Sequence, residues 1–236
     1  MLVRNKKMFS LGAVFAISFL GVLLLIFSPL FGGNNGLQFA DNSFNRLSKG
    51  SSYFIPKVSK SADKFMGKSL VATVRLDKAE DVELTAKLFN AAGAKTEAMD
   101  AELKIEGDLG LILQSVLKDS DAMFKNDGQS VSARYGYDEK KAMKNWWTAL
   151  GKIEKGLKKE KKIEDGKIVS DVNKKAVEPA YNFYKIEGEK VVDHAGMLTG
   201  LLVFYVAYTM WWGYAIFYLF DGIGLTMKKA KVKREA

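Results

Sequence analysis

The sequence predicts an integral membrane protein in which two transmembrane α-helices flank an α+β extracytoplasmic domain. Residues 8–31 and residues 195–220 are long apolar runs without any Asp, Glu, Lys or Arg, and they predict the two helices. Between them, residues 32–194 carry 28 basic and 25 acidic residues, with apolar positions that alternate between strand-like and helix-like spacing. The net charge of +9 therefore comes mainly from the two ends of the chain.

The first apolar run, residues 8–31, is long enough to cross a bilayer. As a helix, its 24 residues would extend about 36 Å, and the hydrocarbon core of a bilayer is about 30 Å thick. A cleaved signal peptide is the alternative, because basic residues precede the run and glycines follow it. The apolar part of a signal peptide usually has only about 7–15 residues, so the run favours a retained anchor.

The second apolar run, residues 195–220, contains nine aromatic residues, and its length predicts a second span. Charge near the spans predicts the orientation: the two terminal flanks carry eight Lys or Arg residues and the two inner flanks carry three. We therefore expect residues 1–7 and the basic tail 221–236 in the cytoplasm. The middle of the chain would be exported, into the periplasm if the source has a cell inner membrane and an outer one.

Apolar periodicity divides the exported region into three parts. Residues 32–66 are predicted as a linker with a short helix after Pro56. Residues 67–136 are predicted as the α+β domain, with strands at 70–76, 101–105 and 131–135 and helices at 81–92 and 109–124. The order β-α-β-α-β indicates a sandwich with helices on one face of the sheet, and an all-helical domain is the main alternative.

Residues 137–194 are predicted as a helical stalk that returns the chain to the membrane. Apolar residues recur there at helical spacing, as the stripe Ala142, Trp146, Leu150, Ile153 and Leu157. We expect a break at Asp165-Gly166 and an end before Pro179, because proline disfavours helical geometry in the preceding residue.

Composition excludes several chemistries. The chain has no cysteine and one histidine, which excludes disulfides, thiolate nucleophiles and Cys-ligated zinc and argues against a Ser-His-Asp triad. The loop Gly107-Asp108-Leu109-Gly110 lies between a strand and a helix, but it lacks the Gly-Lys-Ser/Thr ending of a nucleotide loop, and helix capping by Asp108 explains it. We predict no catalytic, cofactor or metal site and no nucleic-acid partner.

Two sets of residues are predicted to make contacts outside the chain. Small residues let membrane helices approach closely, so Gly196, Gly200 and Gly213 are candidates for a helix-packing or partner interface. Gly213 and Ala215 are expected to meet Gly12, Ala13 and Ala16 of the first span. Trp147 lies away from the apolar stripe and is a candidate interface anchor, with core packing as the alternative. The tail is predicted to lie on anionic lipid headgroups through Lys228, Lys229, Lys231, Lys233 and Arg234.

These observations favour a non-catalytic, membrane-anchored subunit or scaffold of a larger membrane complex, whose extracytoplasmic domain docks a partner. Its expected partners are other membrane protein subunits and anionic lipid. The alternative is an extracytoplasmic ligand sensor, which would need a separate transducing partner because few residues follow the second span. A membrane hydrolase stays open, but no residue pattern supports it.

Overall fold

The computed structural model describes residues 3–225 of the chain as a mostly helical α+β protein. Its contacts divide the chain into two compact units, one formed by residues from both ends (Met1–Phe44 and Lys190–Ala236) and one by Asn45–Glu189. We call them the end unit and the central unit. Helix α2, Gly36–Ser51, begins in the first and ends in the second.

The end unit is built on two long apolar helices, α1 (Lys6–Phe27) and α10 (Ala195–Gly222), the latter preceded by a 3₁₀ turn at Val191–His194. Both are long and apolar enough to cross a membrane, and almost none of their residues are buried within the chain. A soluble protein rarely exposes so much contiguous apolar surface, which is consistent with a lipid environment.

Helices α1 and α10 pack antiparallel along their length. Near one end, the backbone at Gly12 approaches Leu219 so closely that a Cβ atom on Gly12 would lie 2.6 Å from the Leu219 nitrogen. Further along, the Phe19 ring stacks on Tyr208, with ring centroids 4.1 Å apart, and packs on Trp212 at 4.7 Å. Aromatic packing and close backbone approaches at glycine therefore hold the hairpin together.

Four Ser and Thr hydroxyl groups, three within these apolar helices and one just after α1, form hydrogen bonds to the backbone of the same segment. Each donates to the carbonyl oxygen four residues earlier, at distances between 2.7 and 2.9 Å, in Ser18, Ser28, Thr199 and Thr209. In lipid an unpaired hydroxyl would be costly, so these bonds make the polar residues compatible with a membrane.

The central unit contains an antiparallel sheet of three strands in the order β1-β3-β2, with β1 at Ser69–Arg75, β2 at Lys95–Met99 and β3 at Glu102–Asp108. Val74 pairs with Leu103, and Ala72 pairs with Ile105. One face carries buried aliphatic residues against the helices, and the other carries the ion pairs of Lys104 with Glu97 and Glu106. The sheet therefore has one apolar and one hydrated face.

The remaining helices of the central unit surround one hydrophobic core. They are α3 (Ile55–Ala62), α4 (Ala79–Ala91), α5 (Leu109–Phe124), α6 (Gly128–Tyr135), α7 (Glu139–Lys159), α8 (Ile163–Val172), a π-helical segment at Asn173–Val177, and α9 (Glu178–Asn182). A 3₁₀ turn, Asp63–Phe65, follows α3. Trp146 lies fully buried in this core, where its ring meets Phe89 edge-on at 4.9 Å.

The strand predicted at 131–135 is wrong, because this segment is helix α6. The Asp127 side chain accepts a hydrogen bond from the Ser130 nitrogen at 3.3 Å and begins the helix, and Gly136, at φ 74°, ends it. Val131 and Tyr135, four residues apart, are both buried, which is a helical spacing. The third strand of the sheet is β2, so the predicted strand order is wrong as well.

Residues 137–189 form no separate stalk, because the predicted stripe from Ala142 to Leu157 is buried in the core of the central unit. The chain turns at 160–162, where Lys161 has φ 62°, whereas Asp165 and Gly166 lie inside α8. The helix also continues past the position predicted to end it. The π-helical segment runs directly into α9, and Pro179 lies in the first turn of that helix.

Candidate functional site

An open groove with aromatic walls lies on the central unit, between α7 and the chain from the π-helical segment into α9. Its volume is about 290 Å³, and it is lined by Lys144, Trp147, Val177, Glu178, Tyr181 and Asn182. Trp147 and Tyr181 remain 47% and 37% exposed. We call this the Trp147 groove.

Hydrogen bonds to neighbouring residues hold Trp147 in place at this groove. Its indole nitrogen donates to the Glu178 carboxylate (Oε1) at 2.9 Å, and the Asn173 side-chain amide donates to the Trp147 carbonyl oxygen at 3.1 Å. Asn173 begins the π-helical segment, and Glu178 follows it directly. Single-turn π-helices occur frequently at functional sites, and this one positions both of these hydrogen-bonding partners of Trp147.

The charge around the groove is predominantly basic. Lys144 lines it, and the Lys140 ammonium lies 5.5 Å from the centroid of the Tyr181 ring. The one carboxylate of the lining, Glu178, is engaged by the Trp147 indole. The groove is therefore suited to an apolar or aromatic side chain that has an acidic group beside it.

A second polar feature lies in the core, where the carboxylate of Asp119 is fully buried. It accepts hydrogen bonds from the Tyr135 hydroxyl at 2.5 Å and from the Trp146 indole at 2.9 Å, and it pairs with the Arg134 guanidinium. Burial raises the pKa of Asp119, while the hydrogen bonds from Tyr135 and Trp146 and the Arg134 charge oppose that rise. The buried carboxylate of α5 therefore links residues of α6 and α7.

A third polar feature ties the two ends of the central unit together. The ammonium of Lys49, at the end of α2, donates to the Asn126 side chain at 2.9 Å and to the carbonyl oxygens of Phe183 at 3.1 Å and Ile186 at 2.5 Å. Arg46 forms an ion pair with Glu189 at 2.7 Å. Burial lowers the pKa of Lys49. Lys49 and Arg46 therefore connect the end of α2, where the chain enters the central unit, to residues 183–189, where it leaves the unit.

The glycines of α10 that were predicted to pack against another helix do not contact α1. At Gly196, Gly200 and Gly213 an added Cβ would meet nothing within 4 Å, so α1 does not cover these positions. Gly213 does not meet Gly12, whereas Ala215, which was expected in the same contact, is fully buried. Gly12 meets Leu219 instead, because the close approach of the helices occurs two turns nearer the end of α10, where the backbone at Gly222 also contacts Phe9.

The other predicted site residues have different outcomes. Trp147 belongs to the groove and not to the core, but whether it binds a partner stays a prediction. The tail residues predicted to contact lipid, Lys228, Lys229, Lys231, Lys233 and Arg234, lie outside the described residues. Within residues 3–225, no group of three or more His, Asp or Glu side chains is arranged to hold a metal ion.

Sequence reasoning did not identify Asp119 or Lys49. Asp119 follows Ile112 by seven residues and Val116 by three, so a carboxylate on the apolar stripe of α5 was a usable signal. For Lys49 no such signal existed, because its acceptors are carbonyl oxygens more than 130 residues away in sequence and the side chain of a turn residue.

Comparisons with protein-family models, with curated proteins and with solved structures find no match for this chain.

Proposed function

We propose that this chain is a non-catalytic, membrane-anchored subunit or scaffold whose central unit docks a partner protein through the Trp147 groove. The observation that carries the proposal is an exposed tryptophan whose indole is held by a hydrogen bond to the Glu178 carboxylate. Tryptophan is enriched among residues that dominate interface energetics, and a side chain fixed before binding loses little entropy on docking.

The membrane part of the proposal is supported by two helices of sufficient length and apolarity. The excess of Lys and Arg on the terminal flanks supports cytoplasmic termini and an extracytoplasmic central unit. In this orientation the groove is available to extracytoplasmic segments of other membrane subunits.

The basic surroundings of the groove favour a partner segment of particular chemistry. Lys144 and Lys140 flank Trp147 on the same helix, at spacings of three and seven residues. The preferred partner segment therefore carries an apolar or aromatic anchor beside Asp or Glu.

The experiment uses the full chain, solubilised in mild detergent and isolated after chemical cross-linking in cells. Trp147→Ala is compared with Met99→Ala, a matched control because Met99 is 58% exposed on strand β2, which does not line the groove. Loss of an interface anchor typically weakens binding by about 2 kcal/mol or more, roughly 30-fold in Kd. We expect Trp147→Ala to lose a cross-linked partner that wild type and Met99→Ala retain, with unchanged melting temperatures.

Two outcomes would refute this proposal. One is a monomeric particle without a cross-linked protein in all three samples. The other is equal recovery of the same partner from Trp147→Ala and wild type, which would exclude the groove as the docking site.

A ligand sensor is the second candidate function, and the size of the groove favours it. A volume of about 290 Å³ is near the lower limit of small-molecule sites. Lys49 and Arg46 contact Ile186 and Glu189, which are among the last residues of the central unit. A small molecule that raises the melting temperature of wild type but not of Trp147→Ala would favour this function over docking.

A further inference from the structure

A second groove lies in the end unit, along the first turns of α1. It has a volume of about 470 Å³ and is lined by Lys7, Met8, Ser10, Leu11, Val14 and Tyr218. Polar side chains, Lys7 and Ser10, lie at its beginning, and the aliphatic residues Leu11 and Val14 continue it along the helix. Because Lys7, Leu11 and Val14 are spaced by four and three residues, they share one helical face about 10 Å long.

The far wall of this groove is preformed. Tyr218 of α10 is held by its neighbours, with its ring centroid 5.9 Å from that of Phe15 and 5.4 Å from that of Phe217. The close approach of Gly12 to Leu219 fixes the separation of the two helices beside it. Leu11 and Val14 nevertheless stay 38% and 61% exposed, so a further apolar group can cover them.

We infer that this groove binds an anionic phospholipid, with the phosphate beside Lys7 and Ser10 and an acyl chain along Leu11 and Val14. The order of the lining residues, a cation and a hydroxyl followed by aliphatic side chains, matches the order of groups in a phospholipid. No acidic residue lines the groove, and within the described part of the chain no carboxylate forms a salt bridge with Lys7.

The depth of the groove also fits a lipid. Lys7 lies at the beginning of the apolar helix, where the headgroups of a bilayer would be, and Val14 lies about two turns further into the apolar region. Basic residues near a membrane surface attract anionic lipids. This inference rests on the proposed membrane insertion, and it adds a defined site in the described residues to the general attraction expected of a basic end.

The experiment measures bound lipid by native mass spectrometry of the full chain in mild detergent. The protein is equilibrated with equal amounts of phosphatidylglycerol and phosphatidylcholine that carry the same acyl chains. Wild type should retain phosphatidylglycerol in preference to phosphatidylcholine. Lys7→Gln should reduce that preference by about fivefold, the effect expected for one basic residue.

Matched controls separate a site from diffuse attraction. Lys6→Gln removes the same charge one residue away, outside the lining, and should change the preference less than twofold. Val14→Trp fills the apolar half without changing charge and should reduce bound lipid, whereas Ile17→Trp, at a position 70% exposed outside the groove, should not. Equal effects of Lys6→Gln and Lys7→Gln, or of the two tryptophan variants, would overturn the site.

Two further results identify the occupant. Excess glycerol 3-phosphate should leave the bound phosphatidylglycerol in place, and its displacement would show that a free phosphate suffices, which contradicts a lipid site. A span from another copy or subunit in the groove, detected as a cross-link from this face with no lipid retained, would overturn the inference.

Failure of the inference is distinguishable from failure of the proposed function. Release of the chain from membranes by alkaline carbonate would refute membrane insertion and, with it, this site. Retention in the membrane without any preference for phosphatidylglycerol would refute the lipid site alone.

Discussion

Replacing Asp119 by asparagine tests whether the buried carboxylate organises the central unit. The substitution keeps the shape of the side chain but removes its charge, and it places an amide N–H₂ where Asp119 accepts from Tyr135, Trp146 or Arg134. Breaking a buried ion pair costs about 3–5 kcal/mol. Because 29% of the Arg134 side chain is exposed and can be hydrated, we expect the lower end, about 3 kcal/mol.

The assay is urea unfolding of residues 45–189, which include the whole core of the central unit. Two of the four tryptophans, Trp146 and Trp147, lie in this fragment, so its emission reports on the environment of the carboxylate. With a slope of about 2 kcal/mol per molar, a loss of about 3 kcal/mol lowers the midpoint by roughly 1.5 M.

The control for this prediction is Tyr135→Phe, which removes one hydrogen bond to the carboxylate. Alone, Tyr135→Phe should lower the free energy of unfolding by about 1.5–3 kcal/mol, as expected for the loss of a hydrogen bond to a charged group. In the presence of Asp119→Asn it should cost at least about 1 kcal/mol less, because the charged partner is gone. An Asp119→Asn cost below about 1 kcal/mol, or strictly additive costs, would refute the reasoning.

Three further predictions concern glycine packing and pH. Gly50→Ala should lower the melting temperature of the central unit because its Cβ would collide with the departing backbone, whereas Gly156→Ala, in open space on a helix, should raise stability by about 0.5–1 kcal/mol. Because a hydrogen bond from its own backbone N–H and one from a tyrosine lower the pKa of Glu139, its contribution is present above its ordinary pKa and disappears as pH falls through the lowered value. Acid unfolding curves of Glu139→Gln should therefore fall less steeply below pH ~5 than those of wild type. Gly12→Leu should separate the hairpin helices, as disulfide cross-linking between introduced cysteines would detect, whereas Gly213→Leu should leave cross-linking unchanged.

Elements with strong local signals could be predicted from the sequence. Helix α5 has a long apolar stripe and an N-cap at Asp108, whose carboxylate accepts from the Leu111 nitrogen at 3.0 Å, and both were predicted. Helix α4 was predicted to end near Gly93, which has φ 83°. The two apolar helices were predicted from length and composition, which do not depend on tertiary contacts.

Predictions of short elements were wrong where one apolar pattern fits both a strand and a helix. Val131, Ala133 and Tyr135 alternate as a strand would, yet Val131 and Tyr135 are also one helical turn apart, and the capping residues on either side decide for the helix. Strand β2 has no apolar alternation because it is an edge strand with mostly exposed residues, so its pairing with β3 defines it. Pairings of this kind depend on distant residues.

The candidate site could be predicted only in part for the same reason. Trp147 lies on a different face of α7 from the buried apolar stripe, and this position predicted an exposed side chain that could anchor a partner. The hydrogen bonds that Asn173 and Glu178 form with the backbone and the indole of Trp147 depend on a π-helical segment that follows α8. The sequence did not predict this segment, because Pro179 favoured a helix end at that point. Proline disfavours helical geometry in the residue before it, here Glu178. The chain is helical there nevertheless, because Ala176 and Val177 of the π-helical segment are fully buried in the core.

Substituted-cysteine labelling tests the central claim, that two spans place the central unit outside the cytoplasm. The chain has no cysteine, so wild type is an unlabelled blank. With a membrane-impermeant maleimide, Ala133→Cys on the exposed surface of α6 should react in intact cells, and Ala230→Cys in the basic tail should react only after permeabilisation. Labelling of Ala230→Cys but not Ala133→Cys in intact cells would contradict the account.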